Sequence, residues 1–209
     1  MPDPATTPDA PTRVDVWFDP VCPFTWVTTR WLRDVTARRG LETQWHLMSL
    51  AVLNEGNEQT AEERAEMADS QLAGRLLAAV ADRHGPAALE PAYAELGSLL
   101  HRASRPMDRD TAAAALAAAE ADPDLVGALD DDAWDPAVRA SHQRGQELLG
   151  GSGGTPLIAF DGQAFFGPVL MEIPGPAQAD ALFDAVSMLA RTGSFRQIQR
   201  PFDGLPDPG

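Results

Sequence analysis

The sequence predicts an α/β fold in which two strand-bearing segments flank an all-helical block. Three observations carry that prediction. VDVWF, from Val14 to Phe18, alternates and is rich in β-formers, and a helix and a second strand follow it before residue 57. Residues 57–150 are alanine-rich and made of helix formers. TPLIAFDGQAFFG, starting at Thr155, then places two short apolar runs around Asp161-Gly162, a pair suited to a type I′ hairpin turn.

Residues 1–11 are polar and Pro/Thr-rich and read as a flexible arm. Asp19-Pro20 breaks the first strand. The helix after it is punctuated at both ends. Cys22 takes the N-cap and Pro23 the first helical position, where a missing N–H costs nothing; Arg38 and Arg39 fill the last turn, and Gly40 supplies a left-handed residue after it. Phe24, Val27, Trp31, Leu32 and Val35 make an apolar stripe fit to cover a sheet, and Trp31, Trp45 and Trp134 read as core. A second strand spans roughly Thr43 to Met48. Gly85-Pro86, Pro106, Pro123 and Pro136 divide the helical block into five or six helices, one of them starting at Asp108. The glycine run before Thr155 lacks the lysine that a phosphate loop needs. A last helix runs from about Ala177 to Arg191 and is ended by Gly193; residues 201–209 read as a loop tail. The domain reading is therefore 12–56 with 151–200, interrupted by an insertion at 57–150.

Charge and cysteine content exclude several classes of function. The 31 acidic residues outnumber the 16 basic ones, all arginine, for a net charge of −15. No basic stripe is available to neutralise phosphates, so neither nucleic acid nor an anionic membrane is expected as a partner. One cysteine rules out intramolecular disulfides and multi-thiolate zinc sites. The run Asp130-Asp131-Asp132 lacks a ligand loop and reads as a solvated turn, so no metal is expected. With neither a signal-peptide pattern nor a bilayer-length apolar stretch, the expectation is a soluble cytoplasmic protein, monomer or homodimer.

The chemistry concentrates at DPVCPFTWV, from Asp19 to Val27. A lone cysteine is most often a small buried hydrophobe. At a helix N-cap, however, its sulfur faces unpaired N–H groups and the positive end of the helix dipole, which favour a thiolate and lower the pKa. Thr25, three positions on, is placed to turn its hydroxyl toward the sulfur, and Trp26 to wall the site. Thr155-Pro156 opens a strand; a cis bond there would leave the Thr155 backbone free to pair with an extended thiol substrate. Asn54 and His101 are weaker candidates for lining a pocket over Cys22, with a capping amide and a surface histidine as the simpler readings. His142 reads as a helix-face histidine. The helical block, with Phe24 and Trp26, is expected to form a lid over an apolar pocket beside the sulfur.

FDPVCPFTW, the long helical block and GGTPLIAFDGQAFFGP together resemble the DsbA-like, thioredoxin-fold family, and within it the actinobacterial mycothiol-dependent reductase branch of disulfide oxidoreductases and nitroreductases. The resemblance runs from about Val14 to Ile173 and includes WHLMSLAVLNE and RASHQRG. It implies a thioredoxin-like fold with an all-helical insertion, both strand-bearing segments sharing one sheet. It implies catalysis at Cys22, tuned by Thr25, with Pro23, Phe24, Trp26, Thr155 and Pro156 at the substrate and thiol site. Members usually carry Cys-Pro-Xaa-Cys. Here Phe24 stands for the usual tryptophan and Thr25 for the resolving cysteine, so the internal disulfide step is out of reach while the nucleophile is kept. The implied activity is that of a thiol oxidoreductase with no bound cofactor, using mycothiol or glutathione as co-substrate on disulfides or small electrophiles. Two alternatives stand beside it. One is a thiol-dependent isomerase or transferase similar to kappa-class glutathione transferases and chromene-carboxylate isomerases, which use a hydroxyl residue to activate bound glutathione. The other is a non-catalytic binding protein on a decayed redox scaffold.

Overall fold

The computed structural model of the chain describes residues 11–209. Apart from Pro11, which is buried, the arm read at residues 1–11 lies outside the described residues. The order is β1 (Arg13–Phe18), α1 (Pro23–Arg39), β2 (Glu42–Leu47), a single turn α2 (Leu50–Leu53), then α3 (Ala61–His84), α4 (Leu89–Gly97), α5 (Arg109–Ala118) and α6 (Asp135–Leu149). The chain returns to the sheet as β3 (Leu157–Phe160) and β4 (Gln163–Phe166) and closes with α7 (Pro176–Arg191). A π-helical turn, Ser98–Arg102, extends α4, and 3₁₀ segments connect the other helices.

The four strands form one sheet in the order β2-β1-β3-β4. β1 and β2 are parallel, as a helical crossover requires; β1–β3 and β3–β4 are antiparallel. Trp17 pairs with Leu157, so the start of β3 lies beside the end of β1. The hairpin turn is built as the sequence predicts: Asp161 and Gly162 have φ of 49° and 82°. The Asp161 carboxylate also accepts from Thr12 and from the N–H of Arg13, tying the turn to the start of β1. Sheet closure thus rests on a turn residue as well as on the ladder.

Alternation decides the two faces. Val14, Val16 and Phe18 point to the side covered by α1 and α7, where Trp31 donates to the carbonyl of Ala179 at 3.1 Å. Trp17, with Leu157 and Ala159, points to the opposite side, where α6 brings Gly145 against its indole. The helical block joins the first side through Phe18, Trp26, Trp45 and Tyr93, whose rings meet edge-on or tilted. α7 stops at Thr192, one residue before the expected glycine; its backbone turns extended there and its hydroxyl bonds back to Met188.

Close approach fixes Trp26. A Cβ on Gly97 would lie 2.1 Å from the indole ring, and a ring packed on Tyr93 and His101 has nowhere to go. Gly97→Ala is expected to destabilise the protein by about 3 kcal/mol, the upper range for overpacking. Urea midpoints check this, and an unchanged midpoint would mean that α4 shifts freely.

The tail, residues 201–209, has no regular structure but packs against α1. Phe202 meets Phe24 edge-on at 5.3 Å, and the N–H of Asp207 donates to the carbonyl of Met171 at 2.8 Å. The carbonyl of Pro208 accepts from Trp26 and Arg30.

Candidate active site

Cys22 stands where β1 gives way to α1. Its N–H closes a turn onto the carbonyl of Asp19 at 3.2 Å, its backbone is extended (φ −77°, ψ 113°), and Pro23 begins the helix. The sulfur makes no capping bond. As a thiol it donates instead to the carbonyl of Thr155 at 3.6 Å. The Thr155-Pro156 bond is cis, and the pairing of Trp17 with Leu157 delivers it to this point. Thr25 is fully buried, and its hydroxyl lies 2.9 Å from that of Thr155. Thr155 Oγ1 itself donates to the carbonyl of Trp17, so its single proton is committed and Thr25 is the donor between the two hydroxyls.

Burial pushes the Cys22 thiol above its ordinary pKa, with the charge of Asp19 adding to it; the hydroxyl and N–H of Thr25 and the N–H of Phe24 pull the other way without prevailing. The lowered pKa read from the N-cap position is therefore corrected. The backbone donors are present, but Cys22 is only 6% exposed and desolvation disfavours the thiolate. Alkylation of the resting protein by iodoacetamide is expected to accelerate only above the ordinary thiol range. A pKa raised by folding contributes stability that is present below the unfolded thiol's pKa and lost as pH rises through the folded one. Thermal unfolding followed upward from neutral pH should show that loss, and Cys22→Ala should lessen it.

Beneath this turn lies a residue the sequence reading treated only as a strand breaker. Asp19 is 0% exposed and accepts from the N–H groups of Leu50 (2.6 Å) and Val21 (2.9 Å) and from the Ser70 hydroxyl (2.5 Å). Burial raises its pKa against the pull of those three donors. It joins the Cys22 turn, the start of α2 and the middle of α3. Asp19→Ala leaves the donors unsatisfied and is expected to cost about 3 kcal/mol, whereas Asp19→Asn keeps an acceptor, removes the charge and moves the alkylation profile of Cys22 to lower pH. Identical alkylation profiles for Asp19→Asn and the unaltered chain would exclude any electrostatic coupling.

The other sequence-read residues divide. His101 reaches the site from the π-helical turn: its Nε2 bonds the carbonyl of Pro20 at 2.8 Å and its ring stacks on Trp26. Burial lowers its pKa, so the neutral ring donates to that carbonyl. Phe24 faces the tail rather than the block. Asn54 is not brought to Cys22 by any contact; its amide donates to the carbonyl of Leu50 and sits by the sulfur of Met67. His142 is buried and accepts from the N–H of Ser49 at 3.4 Å. The block covers Trp26, and two cavities there lie along α1, with arginine and glutamate as well as aromatic side chains among their lining residues. Among the described residues, no cluster of three or more His, Cys, Asp or Glu side chains is placed to hold a metal. No helix among them is long and apolar enough to cross a membrane.

Comparison with known proteins bears on the family and on the fold. The Rv2466c-like family, described as mycothiol-dependent nitroreductase Rv2466c, matches residues 21–200. The uncharacterized protein Rv2286c of Mycobacterium tuberculosis is 33% identical over 194 residues, covering 91% of this chain and 82% of that one. A 2-hydroxychromene-2-carboxylate isomerase structure superposes with a TM-score of 0.59 at 16% identity, over 86% of this chain and 95% of the other. The cytosolic disulfide reductase DsbM of Pseudomonas aeruginosa with GSH superposes with a TM-score of 0.55 at 15% identity, over 85% and 100%. At these identities the two structures speak for the fold alone: thioredoxin-like, with a helical insertion.

Proposed function

Because the chain belongs to the Rv2466c-like, mycothiol-dependent nitroreductase family, we propose that it is a thiol oxidoreductase working through Cys22 alone, with mycothiol as co-substrate. The observation that carries the reading is the direction of the sulfur. Cys22 Sγ points at the carbonyl of Thr155, beside the cis bond, where the backbone of an extended thiol substrate would pair. Thr25, in the place of a resolving cysteine, offers a hydroxyl that donates but cannot attack sulfur.

The chemistry then runs in two exchanges. The Cys22 thiolate attacks one sulfur of a disulfide, the S–S bond breaks, and the departing thiolate takes a proton from water. The resulting Cys22 mixed disulfide is attacked by a free mycothiol that has given its proton to water, which releases Cys22 as thiolate and leaves a disulfide between mycothiol and the group that Cys22 carried. Substrate arrival has to open the site, because the resting thiol is buried and protonated. Rotation of the Thr25 hydroxyl from Thr155 Oγ1 to the sulfur then stabilises the thiolate. Small electrophiles that accept two electrons are the second substrate class, and glutathione serves in a host that makes it. A thiol pool of this kind fits the cytoplasm, where single unpaired cysteines stay reduced.

Intact-mass measurement tests the reading directly. Protein treated with mycothiol disulfide should gain one mycothiol per chain, and free mycothiol should remove it. An unmodified mass after prolonged exposure would defeat the proposal. Thiol-dependent isomerisation is favoured by the burial of Cys22, and its signature would be turnover that survives loss of the Cys22 thiol but still needs the small thiol.

A further inference from the structure

Trp26 and Arg30 stand one turn apart on α1 and converge on a single oxygen. The indole N–H donates to the carbonyl of Pro208 at 3.2 Å and Nη1 of Arg30 donates to the same atom at 2.6 Å. The guanidinium also lies 5.3 Å over the Trp26 ring. Beside this fork a cavity of about 440 Å³ opens, with Arg33, Arg102 and Ser98 on its walls together with Glu90 and Glu95. Arg33 is paired with Glu90 at 3.3 Å. Arg102 is exposed and makes no ion pair among the described residues. The only hydrogen bond of Arg30 among them is to a neutral carbonyl.

That is an unusual place to find cations in a chain of net charge −15. Burial and the neighbouring charges of Arg102 and Arg33 weaken the hold of Arg30 on its proton, and Asp34 only partly offsets them. A guanidinium bonded to a neutral oxygen, near two others, is electrostatically undersatisfied. A carboxylate in the same position would convert that bond into a charge-assisted one and offer its second oxygen to the indole N–H or to Arg102.

We propose that the Trp26–Arg30 fork is the recognition site for the carboxylate of a small organic acid, with the body of the acid in the adjoining cavity and the Pro208 carbonyl standing in for it here. The tail is the competitor. Its other ties near the fork include the backbone bond from Asp207 to Met171, the edge contact of Phe202 with Phe24 and the burial of Pro206, so the ligand has to displace a docked segment. The site begins one helical turn from Cys22, about 6 Å along the axis. Binding at the fork does not need the thiol, so it stands or falls separately from the redox reading.

The test is a titration of the ¹⁵N-labelled full chain with sodium benzoate, following the indole N–H resonance assigned by Trp26→Phe. Benzamide is the neutral isostere, and sodium chloride holds the ionic strength constant. Benzoate should shift that resonance saturably, with benzamide about tenfold weaker or worse. Arg30→Met should weaken benzoate about tenfold. Arg102→Met, at an exposed position that folding does not need, should weaken it several-fold with the rest of the spectrum unchanged. Phe202→Ala, by loosening the tail, should strengthen it. Equal responses to benzoate and benzamide, no saturation, or undiminished benzoate binding by both arginine variants would each overturn the assignment.

Discussion

Replacement of Cys22 by serine is expected to abolish thiol-dependent turnover, a loss on the order of 10³-fold or more, as for other single nucleophiles. Serine preserves the small polar side chain and its bond to the Thr155 carbonyl, so the fold and the thermal midpoint should hardly move. The hydroxyl cannot form a mixed disulfide, and no other cysteine exists to take over. Activity toward a model disulfide with mycothiol, measured beside the melting curve, separates chemistry from stability. Retained turnover by Cys22→Ser would instead favour thiol-dependent isomerisation or transfer, in which a bound thiol is activated by a hydroxyl and the enzyme forms no covalent adduct. A chain whose Cys22 neither turns over substrate nor accepts mycothiol would be a binding protein on a redox scaffold.

The second large effect is a gain. Thr25→Cys is expected to place a thiol three residues from Cys22 at the start of α1, within the Cα separation that a disulfide spans. The oxidised variant should weigh less than the reduced one by the mass of two hydrogens. Its mixed disulfide resolves internally, so single-turnover release of the group held on Cys22 no longer waits for a second small thiol. In the unaltered chain the rate of that release should rise with mycothiol concentration, and in Thr25→Cys it should be nearly independent of it. Thr25→Val is the control. It removes the hydroxyl, the foremost influence lowering the Cys22 pKa, and should slow alkylation near neutral pH without adding any resolving group. A Thr25→Cys variant as dependent on external thiol as the parent would show that the two positions do not bridge.

Much of this frame was legible in the sequence, and the reasons are local. Cys22, Pro23 and Gly40 mark the ends of α1 because capping depends on the residue at the cap itself, and Asp161-Gly162 marks the hairpin because positive φ does. Which strands share a sheet is not a local property. It came from the family resemblance, and the β1–β3 register that carries Thr155 to Cys22 rests on pairing across the whole helical block. Asp19 escaped for the same reason: its burial depends on Ser70 and Leu50, and nothing next to it announces them. The raised pKa of Cys22 escaped because an N-cap position reports the nearby donors but not the solvent excluded around them. Asn54 shows the converse, an amide whose local bonds account for it fully. The tail was invisible beyond its lack of periodicity, since it docks chiefly through backbone groups that every residue carries.

The contact between Cys22 and Thr155 spans 133 positions of sequence. A ribosome adding about 5–20 residues per second therefore emits the nucleophile roughly 7–27 s before the strand that shelters it. Throughout that interval the thiol is unshielded, and its acidity is that of a free cysteine. With no second cysteine on the chain, a nascent polypeptide cannot trap itself in a wrong internal crosslink. What it can still form are disulfides with other chains and caps from the cellular thiol pool, and the caps are the adducts that the proposed chemistry would discharge.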